Sequence, residues 1–241
     1  MMVNQKQQPE KERKELKLAI VHGITRFILS SLVLGGVLFG AAGTIAWRRG
    51  WIYLGMTLLI LLASRVALFL TDPAAAIQRS KRVKPALPFD KLFYALSTPL
   101  LLVLLVVAGL DAERFGWSYL PMNWTWVGSC AFLFFAGFSI WPLLANPHFE
   151  AVVRIQEDRG HKVVDIGPYR IVRHPGYSAG IFVNLFTPLI LGSLYAFIPA
   201  GIMVVLYVYR TANEDRFLRR KLEGYEEYTK RTRYRLLPGI W

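Results

Sequence analysis

Between residues 154 and 177 the chain gathers side chains suited to binding rather than packing. They are Arg154, Gln156, His161 and Lys162, then Gly167-Pro168-Tyr169-Arg170 and Arg173-His174-Pro175-Gly176-Tyr177. A second polar group, Arg210-Thr211-Ala212-Asn213-Glu214-Asp215, closes a later hydrophobic run. Beside apolar segments, backbone broken by proline and glycine is tolerated only where it lines a cavity or meets water, because its amides otherwise go unpaired. These groups therefore point to a binding site. Arg210 and Glu214 are four apart, on one face of a helix. They read either as a plain ion pair worth ~0.3–0.5 kcal/mol or as two members of that site. His161 and His174 titrate near neutral pH and suit a general base or a hydrogen-bonding partner of a ligand equally well. Neither belongs to a His-Glu-x-x-His or Cys/His set, so no metal is expected. Pro175 removes an amide donor and restricts His174, leaving nearby backbone groups free to contact a ligand. The fingerprints of P-loop enzymes, serine hydrolases and soluble dinucleotide enzymes are lacking.

The elements that must position these groups are hydrophobic. Of the 241 residues 54% are hydrophobic and 19% charged, with a mean hydropathy of +0.35. Apolar runs cover 25–46, 51–70, 92–110, 124–145, 178–192 and 195–212, and ~20 apolar residues cross the ~30 Å hydrocarbon layer. The pattern predicts an all-α, polytopic membrane helical bundle of about six spans. The last two form a C-terminal helical hairpin turning at Gly192-Ser193-Leu194, with Pro188 and Pro199 allowing kinks. Residues 1–241 read as a single membrane domain. Within it, 1–23 form a cytoplasmic N-terminal segment, 24–145 hold four spans, and 146–241 carry the site, the hairpin and a cytoplasmic tail. The first 23 residues are too polar for a cleavable signal peptide, and Lys11–Lys17 reads as a surface helix or a disordered stretch.

The net charge is +13, which in a soluble protein would point to nucleic acid. Placement decides otherwise. Lys and Arg number six up to Arg26, four in 72–90, five in 146–177 and nine from Arg210 onward, whereas the opposite loops hold only Arg48, Arg49 and Arg114. By the positive-inside rule this is a multi-pass protein with both termini and the site cytoplasmic. Its cations anchor membrane lipid headgroups, and no nucleic acid partner is expected. Arg65, inside the second span, is expected to snorkel. Gly36 and Gly40, with Gly43 nearby, predict close helix packing of the small-xxx-small kind. Trp47, Trp51, Trp117, Trp124 and Trp126 fall at span ends, as interface anchors do. Cys130 is the single cysteine, so no intramolecular disulfide forms. Its apolar run does not suit a nucleophile.

The ordered set His161-Lys162-Val163-Val164, Gly167-Pro168-Tyr169, Arg173-His174-Pro175-Gly176-Tyr177 and Arg210-x-x-x-Glu214 resembles the isoprenylcysteine carboxyl methyltransferase family. Tyr225-Glu226-Glu227-Tyr228 and Leu237-Pro238-Gly239 also fit its tail. The resemblance covers roughly the last 90 residues. It implies an integral membrane methyltransferase that uses S-adenosylmethionine without a Rossmann domain. Its acceptor would be a lipophilic small molecule or a prenylated compound, with a prenylcysteine-like carboxylate as one form. By the same resemblance His161, Lys162, Val163, Val164, Tyr169, His174, Pro175, Gly176, Tyr177 and Glu214 contact the cofactor. Gln156 or Arg154 takes the place of a further contacting glutamine. Arg210, which would face the acceptor, and Arg173 are the expected catalytic residues. Alternatives are a phospholipid amine N-methyltransferase, a nicotinamide-dependent membrane reductase of similar architecture, and a non-catalytic transporter or scaffold.

Overall fold

The computed structural model describes residues 4–80 and 87–241, with side chains from 14 to 77 and from 87 onward. Residues 81–86 of the predicted basic loop lie outside the described residues. The helices are α1 (Asn4–Ala42), α2 (Arg48–Thr71), α3 (Pro73–Ser80), α4 (Pro88–Gly109), α5 (Met122–Phe138), α6 (Ile140–Ala145), α7 (Pro175–Leu191), α8 (Phe197–Lys221) and α9 (Tyr225–Arg231). There is no strand among the described residues, and the fold is an all-α polytopic membrane bundle. Helix α1 runs unbroken through Lys11–Lys17.

Four helical stretches are long and apolar enough to cross a bilayer: Lys14–Ala42, Arg48–Thr71, Pro88–Phe115 and Met122–Ala145. Their outer faces carry apolar side chains, with Leu32, Leu70 and Phe134 all more than 60% exposed. In water that surface would be an aggregation hazard; against lipid it is at home. The other two predicted spans form the expected hairpin but are shorter. Helix α7 has 17 residues, about 25 Å at 1.5 Å per residue. Helix α8 is apolar only as far as Tyr209, and its polar half continues to Lys221. The run 124–145 is not one helix: it breaks at Ser139, because Pro142 cannot donate to the carbonyl four residues earlier.

The hairpin is fixed at its tip. Gly192 takes φ +80°, and its amide closes α7 on the Pro188 carbonyl at 2.8 Å. A Cβ there would have to displace the Arg49 guanidinium packed against it. A π-helical turn (Leu110–Phe115) extends α4 and places Asp111, fully buried, beneath the tip. Asp111 accepts from the Ser118 amide (2.7 Å), the Ser118 and Ser193 hydroxyls (2.6 and 2.5 Å) and the Tyr195 amide (3.3 Å). The main core lies in this half of the bundle, around Leu38, Leu104, Leu105, Ile190 and Leu191.

Three local expectations need correction. A Cβ on Gly36 or Gly40 would meet nothing within 4 Å, because both point to the outer face of α1. Close packing is made instead by Gly109 against Ala42, and by Gly128 of α5 against Leu189 and Ile190 of α7. Trp47 is not an interface anchor: it is 3% exposed in the core, whereas Trp51, Trp117, Trp124 and Trp126 are exposed. Arg65 does not merely snorkel, since its Nη1 donates to the Gly23 carbonyl of α1 at 3.3 Å.

Candidate active site

At the end of the bundle opposite the hairpin tip, the N-terminus of α4, the connection 146–174, the first turn of α7 and the polar half of α8 enclose a cavity of about 330 Å³. Pro175 occupies the first turn of α7, where its missing N–H costs nothing. His174 precedes it at φ −126° and ψ 60°, outside the helical region and short of the fully extended one. The backbone before the helix is held by the C-terminal tail: the Arg173 and His174 amides donate to the Tyr234 and Arg235 carbonyls, both at 2.9 Å. Ser178 ties α7 to the same tail through the Leu236 carbonyl at 2.6 Å. A small cluster of Tyr169, Leu222, Tyr225 and Tyr228 supports the floor.

Gln156, His161, Lys162, Val163, Val164, Tyr169, Arg173, His174, Pro175, Gly176, Tyr177, Arg210 and Glu214 all line this one cavity. Their settings differ. Tyr177 donates to Glu214 Oε2 at 2.5 Å. The His174 ring stacks parallel to Tyr177, with centroids 5.7 Å apart. Its Nδ1 lies 4.0 Å from Glu214 Oε1, and its Nε2 lies 3.5 Å from Asp215 Oδ1. Gln156 is buried, donating to the His148 carbonyl at 2.7 Å and accepting from Arg159 at 3.0 Å. Arg154, which also lines the cavity, is bound to Glu150 and Asp158.

Arg173 serves its neighbours. Its Nε and Nη2 donate to both oxygens of Asp215 at 2.7 and 3.0 Å, and its Nη1 reaches the Thr232 and Arg233 carbonyls. Asp215 also receives Arg235 at 2.9 Å and the Tyr225 hydroxyl at 3.2 Å. Burial alone would raise its carboxyl. His174, Arg173 and Arg235 overcome that and hold it well below the usual carboxylate range. Tyr225 is pushed the other way, first by burial and then by Asp215.

Arg210 does not pair with Glu214. Its Nη2 sits 2.9 Å from Asp90 Oδ1, and the same nitrogen donates to the Ala151 carbonyl at 2.6 Å. The guanidinium lies over three rings, Phe93 at 4.5 Å, Tyr94 at 4.8 Å and Tyr177 at 5.2 Å. Asp90, with no exposed surface, uses Oδ2 to accept the Val153 amide at 2.7 Å. Its Oδ1 is close to Arg210 but off the line of the N–H bonds, and accepts no hydrogen bond among the described residues. Charge therefore holds this pair more than direction does.

On the opposite wall the rings of His148 and His161 meet with centroids 4.4 Å apart. The Gln156 amide donates to His161 Nδ1 at 3.3 Å, which leaves the ring proton on Nε2. Burial, with His148 and Arg154 next, pushes His161 down to about 4. Burial also lowers His148, whose Nδ1 is enclosed without a hydrogen-bond partner among the described residues. Both rings are uncharged at neutral pH.

Residues 132–220 match the isoprenylcysteine carboxyl methyltransferase (ICMT) family. The matched segment is 89 of the 241 residues. No curated relative matches the chain. The ICMT segment holds His148, Gln156, the His161–Val164 and His174–Tyr177 stretches, Arg210 and Glu214. It leaves out Asp90, Phe93 and Tyr94 of α4 and Tyr225 and Arg235 of the tail. Asp90, Phe93, Tyr94 and Arg235, with His148 and Asp215, are not among the expected site residues, and Tyr225 entered only through the tail motif. Asp215 is the one with a signal, as an acid directly after Glu214. An aspartate in a helix's first turn, as Asp90 is, looks like an ordinary partner for the helix dipole.

Proposed function

We propose that this cavity binds S-adenosylmethionine, and that the protein moves its methyl group to a lipophilic acceptor approaching along the wall of Phe93, Tyr94, Tyr207 and Arg210. The observation that carries the reading is the convergence on one cavity of groups from four separate segments, three of which lie in the part of the chain that matches the ICMT family. The wall chemistry suits the cofactor. The Glu214 carboxylate can accept from ribose hydroxyls or an ammonium, the enclosed His148 Nδ1 can pair with a base or ribose, and Tyr169 and Tyr177 offer aromatic faces to a sulfonium. When bound, the cofactor supplies an electrophilic methyl group on a good leaving group. The protein's part is alignment, which can contribute about 7–11 kcal/mol in the best cases. Tyr177 fixes the Glu214 carboxylate, His174 stacks behind Tyr177, and Arg173 with Asp215 holds the backbone from which His174 projects.

The basic segments 146–177 and 210–235 border the cavity, which supports a cytoplasmic position for it. The acceptor's tail would come from the bilayer. The family's name points to a prenylcysteine-like acceptor, and the aromatic wall supports an isoprenoid tail.

Calorimetry with S-adenosylhomocysteine on the detergent-purified protein tests the reading. It should bind and raise the melting temperature, because a ligand of the native state stabilises by mass action, while NADPH should do neither. Stabilisation by NADPH alone would indicate a reductase instead.

A further inference from the structure

Arg210 and Glu214 line the cavity from successive turns of α8, and Arg210 has two carboxylates to choose between. Glu214 is the local one, four positions on and so on the same helix face, the spacing at which opposite charges pair. Asp90 is the remote one, from the first turn of α4, and it holds the guanidinium: Nη2 lies 2.9 Å from its Oδ1. Burial explains the outcome. The Asp90 side chain is wholly enclosed and cannot stay charged cheaply without a cation, whereas that of Glu214 is 17% exposed and keeps some contact with water. Helix α4 adds to the grip. Phe93 and Tyr94 flank the guanidinium, and the Tyr94 hydroxyl shares the Ala151 carbonyl with Arg210 Nη2. Glu214 is left with the Tyr177 hydroxyl at 2.5 Å and the His174 ring at 4.0 Å as its partners.

A guanidinium clamped on Glu214 would occupy the carboxylate that the reading above gives to the cofactor. We propose that Asp90 is a positioning residue of the site: by holding Arg210 toward α4, it keeps the Glu214 carboxylate open to the hydroxyl or ammonium groups of S-adenosylmethionine. The inference rests on the reading of the cavity as a methyltransferase site. Asp90 touches neither cofactor nor acceptor and acts through Arg210. It comes from a helix outside the segment that matches the ICMT family. The anchor does not exhaust Arg210. Its Nε is buried without a hydrogen-bond partner among the described residues, so a donor remains for the acceptor that Arg210 is expected to face. One aspartate thus divides the wall, with Glu214 serving the cofactor and Arg210 the acceptor.

The test is a calorimetric titration of S-adenosylhomocysteine into the full-length protein. Asp90→Asn keeps an oxygen for the Val153 amide but removes the charge, which releases Arg210 to close on Glu214. Affinity should fall by about ten-fold. Adding Arg210→Gln removes the competing cation, and the double variant should recover to within about three-fold of the parent, the coupling that a double-mutant cycle measures. A second deletion does not mend a damaged fold, so the recovery separates positioning from a structural role. Asp90→Ser, made with and without Arg210→Gln, should repeat the pattern and carries the test if the asparagine protein does not fold. Unchanged affinity in the Asp90 variants overturns the proposal, as does a loss that persists in the double variants. Failure of both single variants to fold also overturns it, since Asp90 is then a structural tether. Failure of the wild type to bind S-adenosylhomocysteine would instead sink the methyltransferase reading.

Discussion

Two fully buried aspartates at opposite ends of the bundle are satisfied in opposite ways. Asp111, under the hairpin tip, is caged by two serine hydroxyls and two backbone amides. Asp215, beside the cavity, is caged by Arg173, Arg235, His174 and Tyr225. Neutral donors make a fixed joint: they tie the end of α4 to the turn between α7 and α8 and reach no further. Cationic partners make a junction through which the tail, the loop before α7 and α8 all set the position of His174. The contrast teaches that burial of a carboxylate marks no site by itself. The partners decide.

The largest effect should come from Asp215→Ala, which leaves the Arg173 guanidinium buried and unpaired. A loss of about 3–5 kcal/mol is expected for breaking such a pair, with loss of S-adenosylhomocysteine binding, read by denaturation and calorimetry on one preparation. Asp111→Ala should cost about 1–3 kcal/mol, the scale of a buried polar group left unsatisfied. Affinity for the ligand should be unchanged in the protein that remains folded. Comparable loss of binding in both variants would erase the distinction between joint and junction. Next in size, Glu214→Gln keeps a partner for the Tyr177 hydroxyl but removes the charge. Binding should weaken about ten-fold, or ~1.4 kcal/mol, at nearly parental stability.

The smallest effect is one of pH. His161 is lowered from 6.5 to about 4, so the unfolded chain takes up its proton first. Its contribution is whole above pH 6.5 and declines as pH falls from there toward 4. Melting temperatures over that interval should fall less steeply for His161→Gln than for the parent.

What the sequence made legible was what local rules govern. Apolar runs marked the helices, Gly192 marked the hairpin turn, and the proline after His174 marked the start of α7. The dense motifs from His161 to Tyr177 and at Arg210 and Glu214 named most of the cavity wall. The rest depended on which faces meet. Gly36 and Gly40 have the spacing of a packing motif, yet the orientation of α1 turns them outward. Arg210 and Glu214 satisfy the helical spacing of an ion pair, yet a carboxylate from α4 claims the guanidinium. Asp90 is 120 positions from Arg210 along the chain, and no periodicity links them. The break at Ser139 shows the same limit on a smaller scale, since Pro142 in a hydrophobic run permits either a kink or a stop.

Hydrogen–deuterium exchange of the purified protein with and without S-adenosylhomocysteine puts the central claim to the most direct test. Slowed exchange should appear together in the 146–177 connection and in residues 210–218 of α8, with no change around Asp111 or at residues 192–196. Protection at the hairpin tip, or in only one of the two cavity segments, would contradict a single site assembled from both.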